Sequence, residues 1–190
     1  CAVLVPCPGR HTSIKTRIVA HQQQVVRVDR ETRGALDGPL TRKLIAAIST
    51  QLSKADAVIV GDYGKGVVTQ PLLEELTQLC RRRGVWLSLD PKPIHHLNLK
   101  GLSLITPNRK EAFELAELRD DTRNSNPHED KNLMVVAGKL LAELRPAVLL
   151  ITLGDLGMLL CQHGKRPFHI PTVAQEVFAV SGAGDTVIAT

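Results

Sequence analysis

The spacing of apolar residues changes along the chain and divides it into two parts. Ile14–Ala20 and Gln24–Asp29 are short runs rich in Val and Ile, joined by the polar step His21-Gln22-Gln23. That composition predicts two β-strands. From Asp37 onward the period becomes helical: Asp37-Gly38-Pro39 is a start signal, and Leu40, Leu44, Ile45, Ile48 and Leu52 then recur on one face. Ala57–Val60 is a fully apolar strand that closes at Gly61-Asp62. Thr69 and Pro71 open a second helix running to Arg83, with Gly84 as its stop. Val85–Leu89 is the next strand and leads into Asp90-Pro91-Lys92. Leu102–Ile105 ends at Thr106-Pro107-Asn108, where Asn108 can cap a helix through Leu118. A polar stretch, Asp120–Lys131, precedes a helix near Asn132–Leu144, and Val148–Thr152 is another apolar strand.

Strands that are apolar throughout and alternate with helices predict an α/β fold. The expected architecture is a doubly wound, mostly parallel sheet with helices on both faces. We expect one domain, with residues 37–190 as its core and 10–33 as a small β lid. Such sheets bind ligands at the carboxyl ends of their strands. Those ends carry Asp62-Tyr63-Gly64-Lys65-Gly66, Asp90-Pro91-Lys92, Asn108 and Thr152-Leu153-Gly154.

Composition narrows the picture. The chain has 190 residues, 43% hydrophobic and 23% charged, which excludes wholesale disorder and fibrous repeats. Its longest apolar runs, such as Ala147–Ile151, are strand-length, so no membrane span is expected. The start, Cys1-Ala2-Val3-Leu4-Val5, has no signal-peptide pattern. Cys1 in place of Met, and Thr190 inside a helical pattern, read as a fragment cut at both ends. Only 3% of residues are aromatic, which argues against stacking platforms and a nucleic-acid partner. The formal charge of +5 suits an anionic small substrate. Cysteines 1, 7, 80 and 161 form no CxxC pair, so reduced thiols and a cytoplasmic location are expected. Between Arg10 and Arg33 lie six Lys or Arg and two acids. These form either a solvated strand face or a basic lid over a phosphorylated substrate.

The most informative segment is Val180-Ser181-Gly182-Ala183-Gly184-Asp185-Thr186. Small residues let successive backbone N–H groups converge on one point, and a helix starting there adds its positive dipole end. That arrangement holds a phosphoryl group. Asp185 directly after it would repel phosphate unless it serves as a general base toward an attacking hydroxyl; the plainer alternative is a helix-start acid. Two other phosphate motifs fail. Around Gly61–Gly66, Ile59 replaces the first glycine of a P-loop and Gly66 its Ser or Thr. In Gly182–Val187, Val187 replaces the third glycine of a dinucleotide fingerprint. Asn108-Arg109-Lys110-Glu111 places an amide and a carboxylate on one face of a first helical turn. That pair can serve a magnesium-bound water or simply cap the helix. Thr152-x-Gly154-x-x-Gly157 allows close backbone approach of a nucleotide, or a hairpin turn before Met158–Cys161.

Taken in order, the run from Asp62 through Asp90-Pro91-Lys92, Asn108-x-x-Glu111, Thr152-x-Gly154-x-x-Gly157 and Gly182-Ala183-Gly184-Asp185 resembles the ribokinase-like (PfkB) sugar kinases. Lys15–Ala20, Gln22–Arg30, Asp62–Gly66, Val177-Phe178 and Val180–Ala189 are similar to the heptose 7-phosphate kinases of ADP-heptose synthesis, which supply a lipopolysaccharide precursor. The resemblance implies ATP- and Mg2+-dependent phosphorylation of D-glycero-β-D-manno-heptose 7-phosphate at its C1 hydroxyl. Asp185 would match the catalytic base, and Gly182, Ala183 and Gly184 the anion hole. Asn108, Arg109, Lys110 and Glu111 would match the nucleotide segment, with Asn108 and Glu111 serving magnesium through water. Thr152, Gly154 and Gly157 would match nucleotide contacts, and Arg17, Asp62 and Lys65 the sugar-phosphate side. The lid would also pair two subunits in the full-length protein. Ala179 stands where the family has an acid, which bears on monovalent-cation binding. The family's N-terminal strand and its adenine-enclosing segment are not matched, so the fragment itself is expected to be inactive. The alternatives are a PfkB-type kinase for another sugar or nucleoside, and a non-catalytic sugar-phosphate or nucleotide-binding module that has no need of Asp185.

Overall fold

The computed structural model describes residues 4–21, 23–93, 96–172 and 183–189, with the backbone alone at 24 and 183–185. Two strands, β1 (Ile14–Ala20) and β2 (Gln23–Arg30), pair antiparallel as a separate ribbon, with a register shift after Ile18. Every residue of β1 is exposed, and Ile14, Ile18, Val19, Val26 and Val28 stand in solvent. The ribbon therefore gets no core of its own.

The remainder builds the predicted layered unit from α1 (Gly38–Gln51), β3 (Ala57–Gly61), α2 (Gln70–Arg83), β4 (Trp86–Asp90), β5 (Leu104–Ile105), α3 (Arg109–Leu115), α4 (Lys131–Leu144), β6 (Val148–Thr152), β7 (Met158–Cys161), β8 (Phe168–Ile170) and α5 (Ala183–Ala189). One six-stranded sheet runs β3-β4-β5-β6-β7-β8. Strands β3 to β6 are parallel, whereas β7 and β8 fold back antiparallel. Leu87, Ser88 and Leu89 are buried in succession, which requires cover on both faces of β4, as expected for a parallel sheet. Leu89, Ile105, Leu149, Ile151 and Leu159 are fully buried and anchor the core. Each such side chain contributes roughly 1.5–3 kcal/mol on burial.

Side-chain oxygens set the helix starts. Asp37 accepts from the Leu40 N–H at 2.8 Å, Thr69 from Leu72 at 3.4 Å and Asp130 from Leu133 at 3.1 Å. Two elements are shorter than the sequence predicts. α3 stops at Leu115 because Glu117 takes a left-handed backbone and the Leu118 N–H donates back to the Phe113 carbonyl at 3.0 Å. β5 is reduced to two residues because the Ser103 hydroxyl, not a backbone carbonyl, accepts the Leu87 N–H at 3.1 Å. Among the described residues, no helix is long and apolar enough to cross a membrane.

Candidate active site

Parallel pairing brings the four polar strand ends into one row. The Asp62 N–H donates to the Asp90 carbonyl at 3.1 Å, Thr106 to Leu89 at 3.1 Å, and Thr152 to Pro107 at 3.0 Å. Asn108 and Thr152 form a parallel bridge. Asp62, Asp90, Asn108 and Thr152 therefore stand side by side, although 90 residues separate the first from the last along the chain.

On the lid side of the row lies a cavity of about 860 Å3, lined among others by Arg10, His11, Lys15, Asp62, Tyr63 and Lys65. Asp62 is 2% exposed; its Oδ1 accepts from the Gly64 N–H at 2.8 Å, and its Oδ2 has no hydrogen-bond partner. A buried carboxylate oxygen without a partner, on a residue that lines the cavity, is suited to a substrate hydroxyl. The lid is tied down at its base. Glu31 pairs with Lys65 at 2.5 Å and with Arg33 at 2.7 Å. The Lys65 and Arg33 contacts hold the Glu31 carboxyl below its ordinary range, against the effect of burial. Arg10 donates to the carbonyls of Gly34 (2.9 Å) and Lys65, and the Leu36 N–H donates to the Gly66 carbonyl at 2.9 Å.

Two of the expected sugar-phosphate residues, Lys65 and Arg17, are placed differently. Lys65 does line the cavity, but its ammonium is neutralised by Glu31. Arg17 is exposed opposite Arg27 and does not line the cavity. Lys15 stands there instead, with its ammonium 5.9 Å from the centre of the Tyr63 ring. The two cations share a face of β1, but Arg17 lies two residues farther along the strand, about 7 Å away. Arg10, Lys15 and Tyr63 carry no individual signal in the sequence. Strand alternation marks Lys15 and Arg17 as equivalent, and only the docking of the ribbon separates them.

On the other side of the row, Asn108 and Glu111 form a reciprocal cap. Asn108 Oδ1 accepts from the Glu111 N–H at 3.0 Å, and Glu111 Oε2 accepts from the Asn108 N–H at 2.9 Å. The capping reading is therefore satisfied, and it leaves Glu111 Oε1, which is held by the Lys92 ammonium. Lys92 gains a raised pKa: burial works against its charge, but Glu111, Asp90 and Asp62 outweigh burial. The side chains of Arg109 and Lys110, which the resemblance puts in the nucleotide segment, have acidic partners in the fold. Arg109 is clamped by Asp120 at 2.7 Å and Asp130 at 2.9 Å, donates to the Thr122 carbonyl, and packs over Phe113. Lys110 is exposed, 3.6 Å from Glu114. Successive helical residues are rotated by about 100°, so Asn108 and Glu111 share a face that the two cations do not.

Beyond Thr152, the hairpin reading holds: the Leu153 N–H donates to the Gly157 carbonyl at 2.8 Å and β7 returns antiparallel. The two glycines of this turn differ. Gly154 (φ +66°) faces open space, whereas a Cβ on Gly157 (φ +85°) would overlap the Ile170 carbonyl oxygen. Gly157 therefore admits β8, and only Gly154 remains open to a ligand. Gly182, Val177, Phe178 and Ala179 lie outside the described residues. Ala183, Gly184 and Asp185 form the first turn of α5, which packs against β3 and β4 and buries Ile188.

No group of three His, Cys, Asp or Glu stands at metal-ligand spacing among the described residues. The available donors are the carboxylate oxygens of Glu111 and Asp62. Such hard donors fit a magnesium ion that keeps waters and takes its other ligands from phosphates.

Residues 3–190 match the pfkB family of carbohydrate kinases. A protein called "Bifunctional protein HldE" from Desulfatibacillum aliphaticivorans is 40% identical over 182 residues, 95% of this chain and 35% of that protein. The protein of the same name from Caulobacter vibrioides is 38% identical over 189 residues, 100% of this chain and 37% of that protein. The chain thus spans little more than a third of the length of these curated relatives. Among solved structures, the tetrameric inhibited form of phosphofructokinase-2 from Escherichia coli superposes with a TM-score of 0.71 at 16% identity, covering 94% of this chain and 56% of that one. Arabidopsis thaliana ribokinase complexed with ribose and ATP gives 0.66 at 16% identity, covering 92% and 52%. At these identities the structures show a shared ribokinase-like fold.

Proposed function

The chain belongs to the pfkB family of carbohydrate kinases, and from that premise we propose that it moves the terminal phosphoryl group of ATP to the C1 hydroxyl of D-glycero-β-D-manno-heptose 7-phosphate. The observation that carries this reading is the cavity beside the strand ends, whose lining joins Lys15 to Asp62, a buried carboxylate with one unpartnered oxygen. The Lys15 ammonium suits the phosphate already on the acceptor, and the carboxylate suits a sugar hydroxyl. A neutral sugar would have no use for the ammonium.

The roles follow from position. Asp185, at the start of α5 against β3 and β4, takes the proton of the attacking hydroxyl. The sugar hydroxyl oxygen then bonds to the γ-phosphorus as the bond to the departing ADP breaks. Gly182, Ala183 and Gly184 provide backbone N–H groups toward the transferred charge. Asn108, Glu111, Thr152 and Gly154 border the nucleotide side, and Asp62 and Lys65 the sugar side. Magnesium, when bound, neutralises phosphate charge, and Glu111 holds it through water. The uncovered apolar residues of the β1–β2 ribbon support pairing of two copies through the lid. A cytoplasmic setting accords with the nucleotide substrate.

The test is steady-state kinetics of the full-length protein with ATP and with heptose 7-phosphate or unphosphorylated heptose. A strong preference in kcat/KM for the phosphorylated sugar is expected. Equal values refute the phosphorylated-acceptor reading and leave a kinase for another sugar.

A further inference from the structure

Lys92 has no assigned role, yet more acid surrounds it than a surface lysine would need. It follows β4 between Pro91, which is fully buried, and Pro93. The two rings restrict the backbone that presents it. Its ammonium bonds Glu111 Oε1, and Asp90 and Asp62 lie within electrostatic reach. Asp62 and Lys92 also line one narrow crevice, so the lysine lies between the acceptor cavity and the capped start of α3. Stability alone does not require this arrangement. The cap uses only Oε2 of Glu111, and Asp62 keeps an open oxygen although it is 2% exposed. Glu111 Oε1 and the unpartnered oxygen of Asp62 are hard carboxylate donors near the ammonium, which suit a divalent cation better than a lysine.

We propose that Lys92 is a positioning residue that holds the cation place at Glu111 when magnesium is absent. The proposal rests on the kinase reading above. When the metal–nucleotide arrives, the ammonium leaves Oε1 and turns to the phosphate chain. Glu111 is thereby exposed to the metal's water shell only when phosphates have come to balance Lys92. Lys92 thus opposes binding of the metal alone and favours binding of the metal with nucleotide.

The probe is Mn2+ alone, titrated by electron paramagnetic resonance into the full-length protein without nucleotide. Lys92→Met should bind Mn2+ on the order of tenfold more tightly than the parent, because the competing cation is gone. Lys92→Arg should stay at the parental affinity, and Glu111→Gln added to Lys92→Met should abolish the gain. If the Met variant does not fold, as circular dichroism would show, Lys92→Gln keeps a donor to Glu111 without the charge and should give the same gain. With nucleotide present, Lys92→Met should raise KM for the metal–nucleotide more than it lowers kcat. Equal Mn2+ affinity in parent and uncharged variants, or no measurable binding in either, overturns the proposal. Absence of phosphate transfer by the parent would instead overturn the kinase reading, and the Mn2+ titration tells the two failures apart.

Discussion

Replacing Gly154 and Gly157 by alanine, one at a time, separates two uses of glycine that the sequence cannot distinguish. Both residues have positive φ, +66° and +85°. Placing a side chain at φ +66° costs about 1–2 kcal/mol, and Gly157, at φ +85° and ψ −127°, occupies a region that side chains tolerate still less. At Gly154 nothing lies within 4 Å of the added Cβ, so that strain is the whole effect on stability. At Gly157 the Cβ would overlap the Ile170 carbonyl oxygen and stand 2.7 Å from the Thr172 nitrogen. Both are backbone atoms, so β8 must move. That movement opposes the pairs Met158–Ile170, Leu159–His169 and Leu160–Phe168. The combined cost should exceed about 3 kcal/mol. For a chain of this size one kcal/mol shifts Tm by roughly 2–4 °C. Differential scanning calorimetry should therefore show Gly157→Ala melting about 6 °C or more below the parent, with Gly154→Ala between the two. ATP titration should show the reverse order among folded protein, with Gly154→Ala the weaker binder. A Gly157→Ala protein as stable as Gly154→Ala would refute the assignment of Gly157 to the β7–β8 approach.

In the full-length protein, Asp185→Asn should leave ATP binding nearly intact and slow phosphate transfer by ~10²–10⁴-fold; a residual rate above about a tenth would exclude Asp185 as the base. Lys15→Met should raise KM for the phosphorylated sugar while Arg17→Met leaves it near the parental value, and a larger effect at Arg17 would contradict the placement of the lid. Asp130 is pushed up by burial, but the Leu133 N–H, Arg109 and the Thr122 hydroxyl outweigh this and hold its pKa below the ordinary 3.8. Its stabilisation is therefore complete above pH ~4 and lost as pH falls further, so acid unfolding of Asp130→Asn should be less steep there than that of the parent. Burial pushes the Cys161 thiol up to about 11, so alkylation at pH 8 resolved by mass spectrometry should leave it unmodified in the folded protein. Modification of Cys161 as fast as in denaturant would refute its burial.

Much of the molecule was legible in the residue order because the signals are local. Helix starts at Asp37, Thr69 and Asn108 depend on a side chain bonding the N–H three residues on. Apolar runs without polar alternation predict a parallel sheet, and β3 to β6 form one, although β3 at its edge leaves Ile59 exposed. Chain order alone also implied that Asp62, Asp90, Asn108 and Thr152 share one edge, because a parallel sheet places all carboxyl ends together.

What the sequence left open depends on contacts between distant segments. Glu111 reads in sequence as a capping acid or as a carboxylate for a magnesium-bound water. Folding satisfies the cap and brings Lys92 to Oε1 from 19 residues away. The resemblance puts Arg109 in the nucleotide segment, and only the fold shows its guanidinium paired with Asp120 and Asp130. Lys15 and Arg17 are equivalent by strand alternation, and docking of the ribbon placed only Lys15 at the cavity. The local pattern thus determined which elements form and which strand ends carry polar groups. Tertiary structure decided which charges are already neutralised by partners far along the chain, because ion pairing depends on distance in space and leaves no period in the sequence.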